Sequence, residues 1–282
     1  MTAPGAHPFA GTDLDLTGRA ALVTGASSGI GAAIARRLAA AGATVALVAR
    51  RIGRLEAVAA AITGAGGRAL VVPADLTDPD TLDGLVDTVV ARTGRLDALV
   101  AAAGIAPHLP LATLDRPAFD AVVALDLWAP LRLLQRARPH LARTRGAAVT
   151  IGSVDADRPS AGAAVYGAAK AGLGAAVVAV AKEWTDDGIR VNQIDPGLIR
   201  TEMAAATIAA VEAAGVPVGL VDGPGDPDHV AALAHLLVSD AGAFATATRF
   251  RLDGGALATG PFDVGVGATR TAPTSLHPDE PS

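Results

Sequence analysis

The sequence predicts a single three-layer α/β domain, a doubly wound parallel sheet with helices on both faces. Three observations predict it. Short apolar runs alternate with helix-period stretches from residue 19 to residue 252, and strands separated by helices pair in parallel and are covered on both sides. The first apolar run enters a glycine-rich turn, Thr24-Gly25-Ala26-Ser27-Ser28-Gly29-Ile30-Gly31, which leads straight into a helical pattern. No internal repeat and no second domain breaks the alternation. The 282 residues are 51% hydrophobic but only 3% aromatic, enough for one sizeable core built mainly from Ala, Val and Leu.

In chain order, residues 1–15 are rich in Pro, Gly and Ala and are expected to be flexible. The domain spans 16–260. Residues 19–24 form the first strand and 32–41 a helix ended by Gly42, where a left-handed residue closes a helix at least cost. Strand 43–49, helix 51–65, strand 69–72, helix 78–92 and strand 97–101 continue the alternation. A loop leads to a long helix, 116–142, then strand 147–151 and a helix running to 187. Strand 189–194 follows. Residues 195–228 are irregular, with a helix-prone middle at 202–214 and a Pro/Gly-rich stretch, 216–227, read as a mobile lid. Helix 228–238 and strand 248–252 close the domain. Residues 261–282 carry no periodicity and are expected to be disordered.

Composition narrows the function. A formal net charge of −5 gives no general affinity for nucleic acid. With no cysteine there is no disulfide, thiolate metal site or thiol nucleophile, and no metal site is expected. The N-terminus lacks a basic segment followed by an apolar core. No stretch approaches 18 apolar residues free of charge or glycine, so no membrane span is expected. A cytoplasmic protein is the reading that results.

Chemistry concentrates around Ser153, Tyr166 and Lys170. Four residues apart on a helix, Tyr166 and Lys170 share a face. An ammonium beside a phenol favours the phenolate, so Lys170 is expected to lower the Tyr166 pKa and let it exchange protons near neutral pH. Ser153, at the end of an apolar run, can donate to a substrate oxygen. The same spacing also suits a buried Tyr beside a Lys whose stem covers apolar surface. Against that bland reading, Tyr166 is the sole tyrosine and Lys170 one of two lysines.

The glycine turn points to a dinucleotide. Gly25 and Gly29 allow a tight turn and close backbone approach, and a helix N-terminus attracts a pyrophosphate. Ser27, Ser28 and Ile30 belong to the same cradle. Arg50 follows the second strand where an acid would bind a ribose 2′-hydroxyl; an arginine instead suits a 2′-phosphate, so NADP is expected, with NAD possible. Arg51 and Arg54 extend the positive patch, or are solvated charges at a helix start. Asp75, with Leu76, is placed to meet the adenine or to cap the next helix.

Together these features resemble the short-chain dehydrogenase/reductase family in its compact, Rossmann-type form. The resemblance spans about residues 16–257. It rests on Thr24-Gly25-x-x-x-Gly29-Ile30-Gly31, the Ser153 to Tyr166-x-x-x-Lys170 spacing, Asn192 leading to Pro196-Gly197, and Asp253-Gly254-Gly255. It implies a ketoreductase or alcohol dehydrogenase acting on a small carbonyl or secondary alcohol. Tyr166 would be the general acid/base, Ser153 would steady the substrate oxygen, and Lys170 would hold the nicotinamide ribose. Pro196, Gly197, Ile199 and Thr201 would border the nicotinamide and pyrophosphate. A homodimer or homotetramer through the long helix and the Tyr166 helix is also implied, with Trp128 and Trp184 as anchors or ordinary core.

Two departures stand out. The family's Asn-Asn-Ala-Gly is Ala101-Ala102-Ala103-Gly104 here, leaving Ala102 and Gly104 as expected cofactor neighbours. The Asn that completes the family's proton relay is Asp126. An ionised Asp126 would oppose Lys170. Pro130 lacks the N–H that would bond the Asp126 carbonyl, so either that carbonyl accepts a bridging water or the proline simply kinks the helix. These departures motivate the rival reading of a nucleotide-binding protein with lost activity.

Overall fold

The computed structural model describes residues 13–258; the expectations for 1–12 and 259–282 lie outside them. Seven strands form one parallel sheet in the order β3-β2-β1-β4-β5-β6-β7. They are β1 (Ala20–Thr24), β2 (Thr44–Ala49), β3 (Arg68–Pro73), β4 (Ala98–Ala101), β5 (Ala147–Ile151), β6 (Arg190–Pro196) and β7 (Arg249–Leu252). The central strands are buried along their whole length, which is why they read as unbroken apolar runs rather than alternating ones.

Of the eight α-helices among the described residues, six cover the two faces. On one side lie α1 (Gly29–Ala40), α2 (Ile52–Gly64) and α8 (Pro227–Val238), packing Ile34, Leu38, Leu55 and Leu237 onto the sheet. On the other lie α3 (Pro79–Thr93), α5 (Ala129–Thr144) and α6 (Ala164–Glu183), contributing Leu85, Leu133 and Val177. The short helices α4 (Arg116–Val123) and α7 (Ala205–Ala214) stand near the rim. Strand order reverses between β1 and β4, and in such a sheet the crevice at the carboxyl ends of the strands receives the ligand.

The long helix read over 116–142 is interrupted. Between α4 and α5, residues Ala124–Trp128 form a π-helical step in which the Ala129 N–H bonds the Ala124 carbonyl, five residues back. Pro130, just beyond, has no N–H to sustain the tighter ladder. The helix answers the proline with this step, and the step carries Asp126.

The 216–227 stretch, read as a mobile lid, is stitched down. Gly225 N–H donates to the Leu198 carbonyl at 2.9 Å, Arg200 N–H to the Gly225 carbonyl at 2.8 Å, and Val221 N–H to the Gly254 carbonyl at 2.9 Å. Asp13 and Leu14, at the end of the segment expected to be flexible, accept from Ala241 N–H and contact His235. Helix α6 is long and apolar enough to cross a membrane, but its Leu173 and Val177 lie in the core and it carries Tyr166 and Lys170.

Candidate active site

A cleft of about 470 Å³ opens at the carboxyl ends of the strands. It gathers the residues that the sequence singled out as catalytic or as cofactor neighbours, but not Arg54. The turn residues Gly25, Ser27, Ser28, Gly29 and Ile30 form its floor, with Arg50, Asp75 and Leu76 at one end. Ala102, Gly104, Asp126, Ser153, Tyr166 and Lys170 stand at the other, with Pro196, Gly197, Ile199 and Thr201 along the wall.

The floor is built by backbone packed on backbone. Gly25 has φ +66°, and a Cβ there would lie 2.8 Å from the Ala102 carbonyl oxygen; a Cβ on Gly31 would lie 2.4 Å from the Gly25 oxygen. Only glycine fits either place. Helix α1 begins at this turn with no acidic residue in its first turn and no side-chain cap from Ser28, so its positive end remains for an external anion. These features fit a nicotinamide dinucleotide, with the turn holding the pyrophosphate. Thr24 secures the facing edge: its hydroxyl accepts from Ala102 N–H at 3.0 Å and Ala103 N–H at 3.1 Å. That pins β4 to β1 where the family's side-chain amides are missing.

At the end of the cleft where the adenosine is expected, the charges differ from the expected layout. Arg50 lies 3.9 Å from Asp75. Arg51 reaches over the turn, donating to Ser28 Oγ at 2.8 Å and Ser27 Oγ at 3.0 Å. Asp75 is not the helix cap, which is Asp78. Bonds from the Thr77 backbone and hydroxyl, and then the Arg50 charge, hold the Asp75 carboxyl below its usual range.

At the other end, Lys170 and Asp126 form a buried pair, Nζ to Oδ1 at 3.1 Å. Lys170 also donates to the Ile151 carbonyl at 2.9 Å, and Asp126 Oδ2 accepts from Ile105 N–H at 3.2 Å. Contact with Lys170 is therefore made by the Asp126 carboxylate. Gly104 makes room for it, since a Cβ there would lie 2.4 Å from Oδ1. Burial pushes the Asp126 carboxyl up, with the Lys170 charge pulling it back.

Tyr166 is half-buried in the cleft wall, with Lys170 Nζ 5.7 Å from its ring centre. The Ser153 hydroxyl favours the ionised form of the phenol and accepts from Asp155 N–H at 3.1 Å. The expectation of a lowered phenol pKa is corrected. Desolvation outweighs the pull of Lys170 and Ser153, while Asp126 and Asp155 push the same way as burial, so the phenol rises above its ordinary value. The cation is close and pulls the phenol down, but burial is the larger effect, with Asp126 a smaller push in the same direction.

Sequence reasoning missed a second ionic network behind Ser153. Arg249 of β7 donates to Asp195 at 2.8 Å and Asp157 at 3.0 Å, and Gln193 donates to Asp195 at 2.7 Å. Burial raises the Asp195 carboxyl, against Gln193 and Arg249. Gly152 must lack a side chain, because a Cβ would fall 1.9 Å from Asp195 Oδ1. Asp155 accepts from Ser160 N–H at 2.8 Å, so the charges at 155 and 157 brace the loop, and neither lines the cleft. His108 packs its ring over Gly162 and is likewise outside it. No group of three or more metal-ligating side chains occurs among the described residues.

A parallel α/β sheet with a glycine turn at its switch point and a Ser, Tyr and Lys cluster in the same cleft defines a nicotinamide-dependent oxidoreductase of the Rossmann type. The family model described as enoyl-(acyl carrier protein) reductase matches residues 25–256. The cis-4-hydroxycyclohexanecarboxylate dehydrogenase of Sinomonas cyclohexanicum is 40% identical over 242 residues, covering 84% of this chain and 96% of the relative. The 3-oxoacyl-(acyl-carrier-protein) reductase of Escherichia coli is 34% identical, covering 86% and 98%. A short-chain dehydrogenase from Burkholderia cenocepacia, solved in complex with NADP, superposes with a TM-score of 0.81 at 38% identity, covering 86% and 99%. The chain belongs to the short-chain dehydrogenase/reductase family. It is an NAD(P)-dependent oxidoreductase that interconverts a carbonyl and an alcohol on a small-molecule substrate.

Proposed function

We propose that the chain is an NADP(H)-dependent enzyme interconverting a ketone and a secondary alcohol, with Tyr166 as general acid and base. The observation that carries this reading is the phenol set between Ser153 and Lys170 in the wall of the nucleotide cleft. A bound nicotinamide supplies or receives the hydride. In reduction, the phenol gives its proton to the oxygen of the carbonyl as the carbon gains hydride, and in oxidation it takes that proton back. Because its pKa is raised, the resting phenol holds its proton through the neutral range, ready to protonate a developing alkoxide. Ser153 spends an acceptor site on Asp155 N–H, leaving its O–H to donate to the substrate oxygen. Lys170 has three donors. One meets Ile151, one faces Asp126, and the third is left for the cofactor ribose or the phenol.

Arg50 and Arg51 favour a 2′-phosphate, and the Burkholderia cenocepacia neighbour carries NADP. Ile105, Leu125, Leu198 and Met203 give the cleft apolar walls. The Sinomonas cyclohexanicum relative is named for a hydroxycyclohexanecarboxylate. The substrate we propose is an alicyclic ketone or alcohol. A panel of cyclohexanone and hydroxycyclohexane derivatives, followed by absorbance of the reduced nicotinamide, tests it. We expect turnover with kcat/KM about tenfold or more higher for NADP(H) than NAD(H), a difference of about 1.4 kcal/mol. A preference for NAD(H) would overturn the cofactor assignment, and no turnover of any ring substrate would overturn the substrate class.

The proposal extends to a cytoplasmic dimer or tetramer. Ala168, Gly172, Ala175 and Ala179 leave an exposed apolar stripe along α6, and Trp128, 55% exposed, stands close by in sequence to α5. Trp184, by contrast, is core. Sedimentation across a range of concentrations would show a single monomeric species if this is wrong.

A further inference from the structure

Glu202 lies immediately after Thr201, on the segment that follows β6, yet it faces the start of α2. Arg54 Nη1 donates to its Oε1 at 2.5 Å and Oε2 at 2.7 Å. Arg51 Nη1 approaches Oε2 at 3.5 Å, while Arg51 Nη2 is held by the hydroxyls of Ser27 and Ser28. Bonding to Arg54, followed by the charges of Arg54 and Arg51, keeps the carboxyl below its usual range, so it is ionised at neutral pH. Thr201 packs against the phosphate turn, its Cγ2 standing 3.0 Å from where a Cβ on Gly29 would be. The 201–204 segment thus crosses the mouth of the nucleotide cleft and is fastened to the far rim by one carboxylate.

Among the described residues, three arginines, 50, 51 and 54, pair with two carboxylates at this rim, Asp75 and Glu202. A guanidinium prefers a phosphate dianion to a carboxylate monoanion when both are in reach. We infer that Glu202 is a cofactor-discriminating residue: its carboxylate occupies the arginines a 2′-phosphate needs, and it is displaced when that phosphate binds. The inference rests on the reading of NADP(H) as cofactor. Displacement unfastens the 201–204 segment, which also supplies Met203 and Ala204 to the cleft wall. A cofactor without the 2′-phosphate leaves the fastening in place. The ion pair is about half-exposed on both partners, so the effect is modest and screened by salt.

The test is calorimetric binding of adenosine 2′,5′-bisphosphate and of 5′-AMP to wild type and Glu202→Gln, with backbone hydrogen exchange over residues 201–204. We expect Glu202→Gln to tighten the bisphosphate about fivefold while 5′-AMP changes less than about twofold. The bisphosphate, but not 5′-AMP, should speed exchange at 203–204 in wild type. Equal shifts for both ligands, or no shift, overturn the role of Glu202 even where wild type prefers the bisphosphate. A wild type that binds the bisphosphate no tighter than 5′-AMP overturns the NADP(H) reading and this inference together.

Discussion

Tyr166→Phe lowers kcat by about a thousandfold while cofactor binding stays within about twofold of wild type. General acid and base catalysis by a positioned side chain is worth about 10²- to 10⁴-fold. The ring remains to fill the cleft wall and only the hydroxyl is lost. Proton transfer to the alkoxide then falls to water. Because the contacts proposed for the glycine turn, the rim and Lys170 are untouched, cofactor titration should show a dissociation constant close to that of wild type. A variant that keeps more than about a tenth of wild-type turnover would remove Tyr166 from the chemistry and leave the cleft without a proton donor.

Lys170→Met separates folding from catalysis. Lys170 is 4% exposed and Asp126 fully buried. Removing one member of a buried pair strands the other charge and costs about 3–5 kcal/mol. Urea unfolding should record that loss, and kcat should fall as well. In Lys170→Met/Asp126→Leu the stranded carboxylate is gone, so most of the stability returns; activity does not. Stability that stays low in the double variant would mean that Lys170 acts through its contact with the Ile151 carbonyl and not through Asp126. Activity that returns with stability would mean that the ammonium has no part in the reaction.

Much of this molecule could be read before folding it. The buried strands appear as apolar runs because both sheet faces are covered. The glycine turn is legible because Gly25 and Gly31 have no room for a side chain. The Tyr166 and Lys170 pairing follows from helix geometry alone. What escaped the reading depends on distance in sequence or on packing. The π-helical step hides in residues whose apolar pattern continues on both sides, and Pro130 was its one signal. Glu202 meets Arg54 across 148 residues, and Arg249 meets Asp195 and Asp157 across three separate elements, so neither pairing leaves a local pattern. Gly104 was expected to admit the cofactor, but the structure shows it also makes room for the Asp126 carboxylate. The direction of the Tyr166 shift was misread because a neighbouring cation is visible in sequence and the depth of a hydroxyl is not.

That shift gives the most direct measurement. Tyr166 is the sole tyrosine, so the ultraviolet absorbance that marks a phenolate reports this residue and no other. In cofactor-free protein, burial and Asp126 raise its pKa while Lys170 lowers it. Phenolate formation in wild type should therefore begin at higher pH than in free tyrosine. Asp126→Asn removes a negative charge and should move it to lower pH, carrying with it the alkaline limb of ketone reduction. If wild type and Asp126→Asn titrate together at the pH of free tyrosine, the phenol is not governed by the buried pair and the account fails.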